Sequence, residues 1–171
     1  MFAGGPRMVS ITAILHTEND ALRLGRALET VYACDDILVI DHGSRDGTAR
    51  VAREYGARVV DARTGASPGD YLLPIRPGFA SAGWILCLDP HESLTEKLAA
   101  SLFEWKSESF HAQGPAFSVF LRDETAEGWV EVPAAQTRLV PPAWTSWKEK
   151  FPAHEPSALP LEGELLRFVF P

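Results

Sequence analysis

Ile37-Leu38-Val39-Ile40-Asp41-His42-Gly43-Ser44-Arg45-Asp46-Gly47-Thr48 is the stretch that decides the fold. Its four leading apolar residues read as a buried strand, a tight polar turn follows at once, and Thr48 opens a helical pattern. In a parallel α/β sheet, ligands bind at the carboxyl ends of the strands. The turn therefore brings two carboxylates, a hydroxyl and two glycines to the place where function is usually found.

The same alternation extends on both sides. Residues 9–15 form a β-branched first strand, and Asn19 or Asp20 caps a helix with Leu22, Leu24, Leu28 and Val31 on its apolar face and Arg23, Arg26 and Glu29 largely outside. Residues 46–55 form a second helix that Gly56 stops, and residues 57–60 a third strand. From 63 to 78 glycine and proline break the periodicity, which predicts a long loop or a short broken helix. Residues 84–88 return to a buried strand that ends in Asp89-Pro90-His91-Glu92, and 94–105 carry a helical stripe of Leu94, Leu98, Leu102 and Trp105. This alternation predicts an α/β domain with a mostly parallel, Rossmann-like sheet. Past Gly114 a small antiparallel or irregular second half is expected, with short strands at 116–121, 129–132, 138–140 and 165–170 and 141–160 irregular.

Composition narrows the class. The chain has 171 residues, 46% apolar and 23% charged, as an ordinary globular protein does, which fits one domain over 9–171 behind a loose arm at 1–8. A net charge of -7 leaves no excess of Lys and Arg to neutralise nucleic acid phosphates. The two cysteines, Cys34 and Cys87, make no disulfide framework, so a reducing, cytoplasmic compartment is expected. No apolar stretch approaches the roughly 20 residues of a membrane span, which leaves peripheral membrane association open.

The first strand is followed by His16-Thr17-Glu18-Asn19-Asp20, without the glycines of a dinucleotide-binding turn or a P-loop. A bound nucleotide diphosphate would then need another source of positive charge, and a divalent metal is the obvious candidate.

At this point the chain resembles glycosyltransferase family 2, the nucleotide-sugar-dependent enzymes of the GT-A fold. His16-Thr17-Glu18-Asn19-Asp20 stands where the family has Pro-Thr-Tyr-Asn-Glu. Asp41 to Thr48 matches six of the eight positions of Asp-Asp-Gly-Ser-Thr-Asp-Gly-Thr. Residues 84–92 stand where the family has an apolar strand ending in Asp-Ala-Asp-Glu. Thr137-Arg138-Leu139 and Ala153-His154-Glu155 resemble the Arg-Leu-Phe and Val-His-Glu segments of short members that modify bacterial envelope sugars. The likeness is good over 9–105, the nucleotide-binding half, and weak over 106–171, the acceptor side.

The resemblance implies roles residue by residue. Asp41 accepts a hydrogen bond from the base, against a plain turn-capping role; Thr17 lines the nucleotide pocket; Glu18 stands in place of an aromatic residue; Ser44 is divided between ligand and turn, and Asp46 is more simply a helix cap. Arg76 approaches the diphosphate, against a solvated surface arginine. Asp89 serves ribose or metal, and His91 replaces the second carboxylate, which suits Mn²⁺ better than Mg²⁺. Glu92 either replaces the lost carboxylate or serves the first turn of the next helix. Glu155 with His154 is the candidate base for an inverting transfer, or His154 is a further metal ligand; Asp123, Glu124 and Glu127 are rival bases. The expectation is a metal-dependent glycosyltransferase moving a sugar from a nucleotide-sugar donor to a glycan or lipid-linked hydroxyl. The alternative is a GT-A domain that has lost catalysis and survives as a nucleotide- or glycan-binding or scaffold module.

Overall fold

The computed structural model describes residues 9–72, 83–107 and 113–171. In chain order these form β1 (Ser10–Thr17), α1 (Ala21–Leu28), β2 (Asp36–Asp41), α2 (Thr48–Glu54), β3 (Arg58–Asp61), β4 (Gly83–Leu88), β5 (Glu92–Leu94) and α3 (Glu96–Ser107). They continue with β6 (Phe117–Thr125), β7 (Gly128–Glu131), β8 (Gln136–Val140), β9 (Trp147–Lys148), β10 (Phe151–Pro152) and β11 (Leu159–Arg167). One sheet runs β3-β2-β1-β4-β8-β6-β11-β5, with β7 beside β6, and β9 and β10 pair as a separate hairpin.

The expected architecture is present. β3, β2, β1 and β4 are all parallel. β1 is buried almost throughout and β2 and β4 over most of their length, which is why their sequences read as continuous apolar runs rather than alternating ones. Alternate residues serve two separate cores. Ile11, Ala13, Leu15, Val39 and Leu86 face α1 and α3, where Leu24, Leu28, Leu98 and Trp105 are buried. Ile14, Leu38, Ile40, Ile85 and Cys87 face the other way, onto Tyr71, Leu72 and the half-buried Trp144, Trp147 and Phe151. Helices thus cover one face, and the segment expected to be irregular covers the other. Trp84 and Trp105 meet edge to face at 5.0 Å, a packing role.

Four expectations shift. Leu22 is 85% exposed, so α1 buries only the Leu24–Leu28 side. Residues 92–94 are a strand rather than the start of a helix. The hydroxyl of Thr95 accepts from Leu98 N–H at 3.2 Å, and α3 begins after it. The broken stretch after residue 63 holds a 3₁₀ turn at Pro68–Tyr71, closed by reciprocal bonds between Ser67 and Asp70. The second half is not simply antiparallel: β4–β8, β6–β8 and β6–β7 are, but β11 runs parallel to β6.

β11 also crosses close over α3. Gly163 has φ +88 at a register shift in the strand, and a Cβ there would lie 2.3 Å from Leu98 N. Beside it, Thr95 N–H and hydroxyl donate to Glu164 O at 3.1 and 2.9 Å.

Candidate functional site

The carboxyl ends of β1, β2 and β4 open into a cleft of about 1000 Å³. Thr17 and Glu18 after β1, His42 after β2, and Asp89 and His91 after β4 line its floor; Arg63, Tyr71 and Lys150 contribute to its walls.

The two first motifs are laced to each other beneath this floor. Asn19 N–H donates to the Ser44 hydroxyl at 2.9 Å, Arg45 N–H donates to Asn19 Oδ1 at 2.8 Å, and Asp20 N–H donates to the Thr48 hydroxyl at 2.9 Å. Asp46 accepts from Thr48 N–H at 3.0 Å, one residue before the Gly47 cap position of α2. Asp41 is only 7% exposed and its oxygens accept from the Thr17 hydroxyl at 2.9 Å, Ser44 N–H at 2.9 Å and the Ser44 hydroxyl at 2.5 Å. Burial pushes its carboxyl up, but the bonds from Ser44 and Thr17 outweigh that and hold it below the usual carboxylate range. Asp41 and Ser44 therefore do not line the cleft; they fix the turn that presents His42 to it.

His42 Nε2 lies 2.8 Å from His16 Nδ1, and the rings are 5.1 Å apart. Burial, together with His42 and Lys150, depresses His16 from its ordinary 6.5 to about 4. The unfolded chain takes up this proton as pH falls through 6.5, whereas the folded chain refuses it until about 4. Neutral His16 thus contributes stability that is present above pH 6.5 and is lost progressively down to about pH 4. NMR titration should find the His16 ring still neutral at about pH 5.5, and H16N should flatten the acid limb of the stability curve in that window. A His16 midpoint at or above 6 contradicts this.

At the other end of the cleft, Asp89 Oδ1 accepts from His91 N–H at 2.9 Å and lies 2.5 Å from His91 Nδ1, while Oδ2 accepts from Lys150 Nζ at 3.1 Å. Burial raises the Asp89 carboxyl, but the His91 bonds and the Lys150 ammonium outweigh it and leave it lowered. The other ring nitrogen of His91, Nε2, contacts the Arg23 guanidinium. An ionised carboxylate only accepts, so a ring proton sits on Nδ1, facing Asp89. Arg23 is accordingly turned inward, not outward as the helical pattern suggested.

Glu92 neither ligates nor begins a helix. It is fully buried on β5 and bonds Arg138 bidentately at 2.8 and 2.8 Å. It also accepts from Asp89 N–H at 2.7 Å and so sets the turn from which Asp89 projects.

The expected triad of Asp89, His91 and His154 is not assembled. His154 is exposed and does not line the cleft, and among the described residues no three His, Cys, Asp or Glu side chains converge as a metal requires. The donor set does not fit a divalent cation as it stands, since Lys150 holds one Asp89 oxygen, His91 the other, and Arg23 contacts the imidazole Nε2. Glu155 is also outside the cleft. Its carboxylate accepts from Ser157 N–H at 3.1 Å and the Ser157 hydroxyl at 2.6 Å, which closes a local turn. Of the rival bases, Asp123 is paired with Arg167 at 2.6 Å. Arg76 lies outside the described residues.

Lys150, Arg23, His16, His42 and Tyr71 were not expected here. The pair His16 and His42 was visible as two histidines at the ends of adjacent strands. Lys150 carries no local signal, since it reaches Asp89 across 61 residues of chain.

No family model matches the chain. A segment of 55 residues, 30% of the chain, is 44% identical to a 4,4'-diaponeurosporenoate glycosyltransferase of Staphylococcus aureus, covering 15% of that protein. A longer match of 129 residues, 74% of the chain, is 31% identical to a TPR repeat-containing protein of Synechococcus elongatus, covering 30% of it. The chain thus spans less than a third of these curated relatives. Among solved structures, a glucosyl-3-phosphoglycerate synthase from Mycobacterium tuberculosis in complex with Mn²⁺, uridine diphosphate and glucosyl-3-phosphoglycerate aligns with a TM-score of 0.41 at 16% identity, over 67% of this chain and 43% of that one. Among the described residues no helix is long and apolar enough to cross a membrane. Over that 55-residue segment the chain is similar to a glycosyltransferase, and the segment belongs to a largely parallel α/β sheet.

Proposed function

We propose that this domain binds a nucleoside diphosphate sugar and serves a glycosyl transfer to a glycan or lipid-linked hydroxyl. The observation that carries the reading is the cleft at the carboxyl ends of β1, β2 and β4, where Thr17, Glu18, His42, Asp89 and Lys150 meet. The nucleoside occupies the part bounded by Thr17, His42 and Tyr71, where the His42 ring offers a flat surface to a base. The diphosphate lies toward Asp89 and Lys150. In an inverting transfer the acceptor oxygen attacks the anomeric carbon, loses its proton to a base and expels the nucleoside diphosphate. Glu18 and Glu149 line the cleft, where neither His154 nor Glu155 does, and as carboxylates unpaired among the described residues they are the candidates for that base.

The same placement favours a second reading, a domain that binds the nucleotide without transferring sugar. Calorimetry with UDP, GDP and dTDP separates the possibilities. Binding of one of them with Kd below about 1 mM supports a nucleotide site. Release of the nucleoside diphosphate from the matching nucleotide sugar, with the sugar passing to an acceptor hydroxyl or to water, distinguishes an enzyme from a binding module. No heat with any of the three, with or without Mn²⁺, overturns the reading.

A further inference from the structure

We infer that Lys150 offsets the charge of the bound diphosphate in the place where the fold would otherwise use a divalent cation. The inference rests on the nucleotide-binding reading above and goes beyond it by assigning the charge-bearing group.

A diphosphate needs positive charge within a few ångströms, and no glycine-rich turn here supplies backbone donors. The described lining of the cleft contains four carboxylates, Glu18, Asp20, Asp89 and Glu149, and only two cationic side chains, Arg63 and Lys150. Arg63 stands at the wall, its guanidinium donating to Asp70 O at 3.3 Å and lying 4.8 Å over the Tyr71 ring, and it is Lys150 that contacts Asp89. Lys150 stands on Asp89, the carboxylate from which a metal would be held, at 3.1 Å. An ammonium has three donors, and Asp89 takes one, so two remain for phosphate oxygens. Its side chain is 40% exposed, so those donors are reachable from the cleft.

The position is built rather than incidental. Lys150 follows Glu149, which has φ +58, in the turn of the β9–β10 hairpin. That hairpin is held at several points: Trp147 Nε1 donates to Trp144 O at 3.0 Å, Ala153 N–H to Ser146 O at 2.8 Å, and Phe151 lies 4.1 Å under the buried Arg138 guanidinium. The hairpin that carries Lys150 is therefore placed by packing that does not depend on the ion pair itself. A metal at this position would have to displace Lys150 from Asp89 and Arg23 from His91 together.

The test is calorimetry on the full chain with whichever of UDP, GDP and dTDP binds, in EDTA and in Mn²⁺, alongside the matching nucleoside. Wild type should bind the diphosphate in EDTA, with Mn²⁺ changing Kd by less than about threefold. K150M should weaken the diphosphate roughly tenfold or more in EDTA and leave the nucleoside unchanged, while K150R retains binding. K150Q serves as a second neutral variant, with thermal unfolding as the check that each is folded. Diphosphate binding that requires Mn²⁺ overturns the inference and leaves the nucleotide reading standing. A K150M variant that binds the diphosphate as wild type does, or that loses nucleoside equally, also overturns it. No binding under any condition overturns both.

Discussion

Replacing Arg138 with methionine should lower the unfolding free energy by about 3–5 kcal/mol, read from urea denaturation. Arg138 is 1% exposed and Glu92 is 0% exposed. Two parallel bonds at 2.8 Å join them, and Arg138 also donates to Cys87 O at 3.0 Å and to Gln136 Oε1. Removing the guanidinium leaves a carboxylate in a water-free position with its charge uncompensated, and that penalty exceeds the value of the lost bonds. The double variant R138M/E92L should therefore recover much of the loss, since an apolar pair of similar volume carries no desolvation cost. It should not restore the turn at the cleft, because Glu92 accepts from Asp89 N–H and orients that turn. An R138M variant within about 1 kcal/mol of wild type contradicts this account.

The second large effect is expected at Gly163. An alanine there must adopt φ +88, which costs an L-residue about 1–2 kcal/mol, and its Cβ would meet Leu98 N at 2.3 Å and Leu98 Cα at 2.7 Å. Both obstacles are helix backbone, which cannot rotate aside as a side chain could, so β11 must move off α3 and add roughly 1–3 kcal/mol more. G163A should lose about 2–5 kcal/mol and shift the whole unfolding transition. G43A is the control: Gly43 has φ +75, but nothing lies within 4 Å of its Cβ position, so only the backbone cost of about 1–2 kcal/mol applies. Equal losses in the two variants would remove the close strand–helix approach as the cause.

Where chemistry is written locally, the chain was readable. β1, β2 and β4 are apolar runs bounded by polar turns, and their order follows from strand–helix alternation. Thr17, Glu18, Asp89 and His91 meet in one cleft, as their positions at strand ends imply. Asp41 shows the limit of a motif: the same residues that mark the turn also satisfy its carboxylate, so the motif identifies the place but not which side chain faces the ligand. Glu92 was misread because a lone glutamate before a helical stripe suits a first turn equally well, and its partner Arg138 is 46 residues away. Lys150 and Arg23 depend on how a hairpin and a helix pack against the strand ends, and packing of that kind leaves no periodic trace.

The position of β11 has a consequence for how the domain is made. It lies between β6 and β5 in the sheet, pairing with β6 residues about forty positions earlier and with β5 residues about seventy positions earlier. On a ribosome, β3, β2, β1 and β4 emerge with all their mutual partners present, whereas β5 must wait for the last strand with its edge unpaired. Until then Leu94, buried in the finished domain, lacks its strand partner Leu165. The nascent chain should pass through a stage with a formed parallel half and a vacant slot beside β6, the stage at which a foreign strand competes most effectively for that edge.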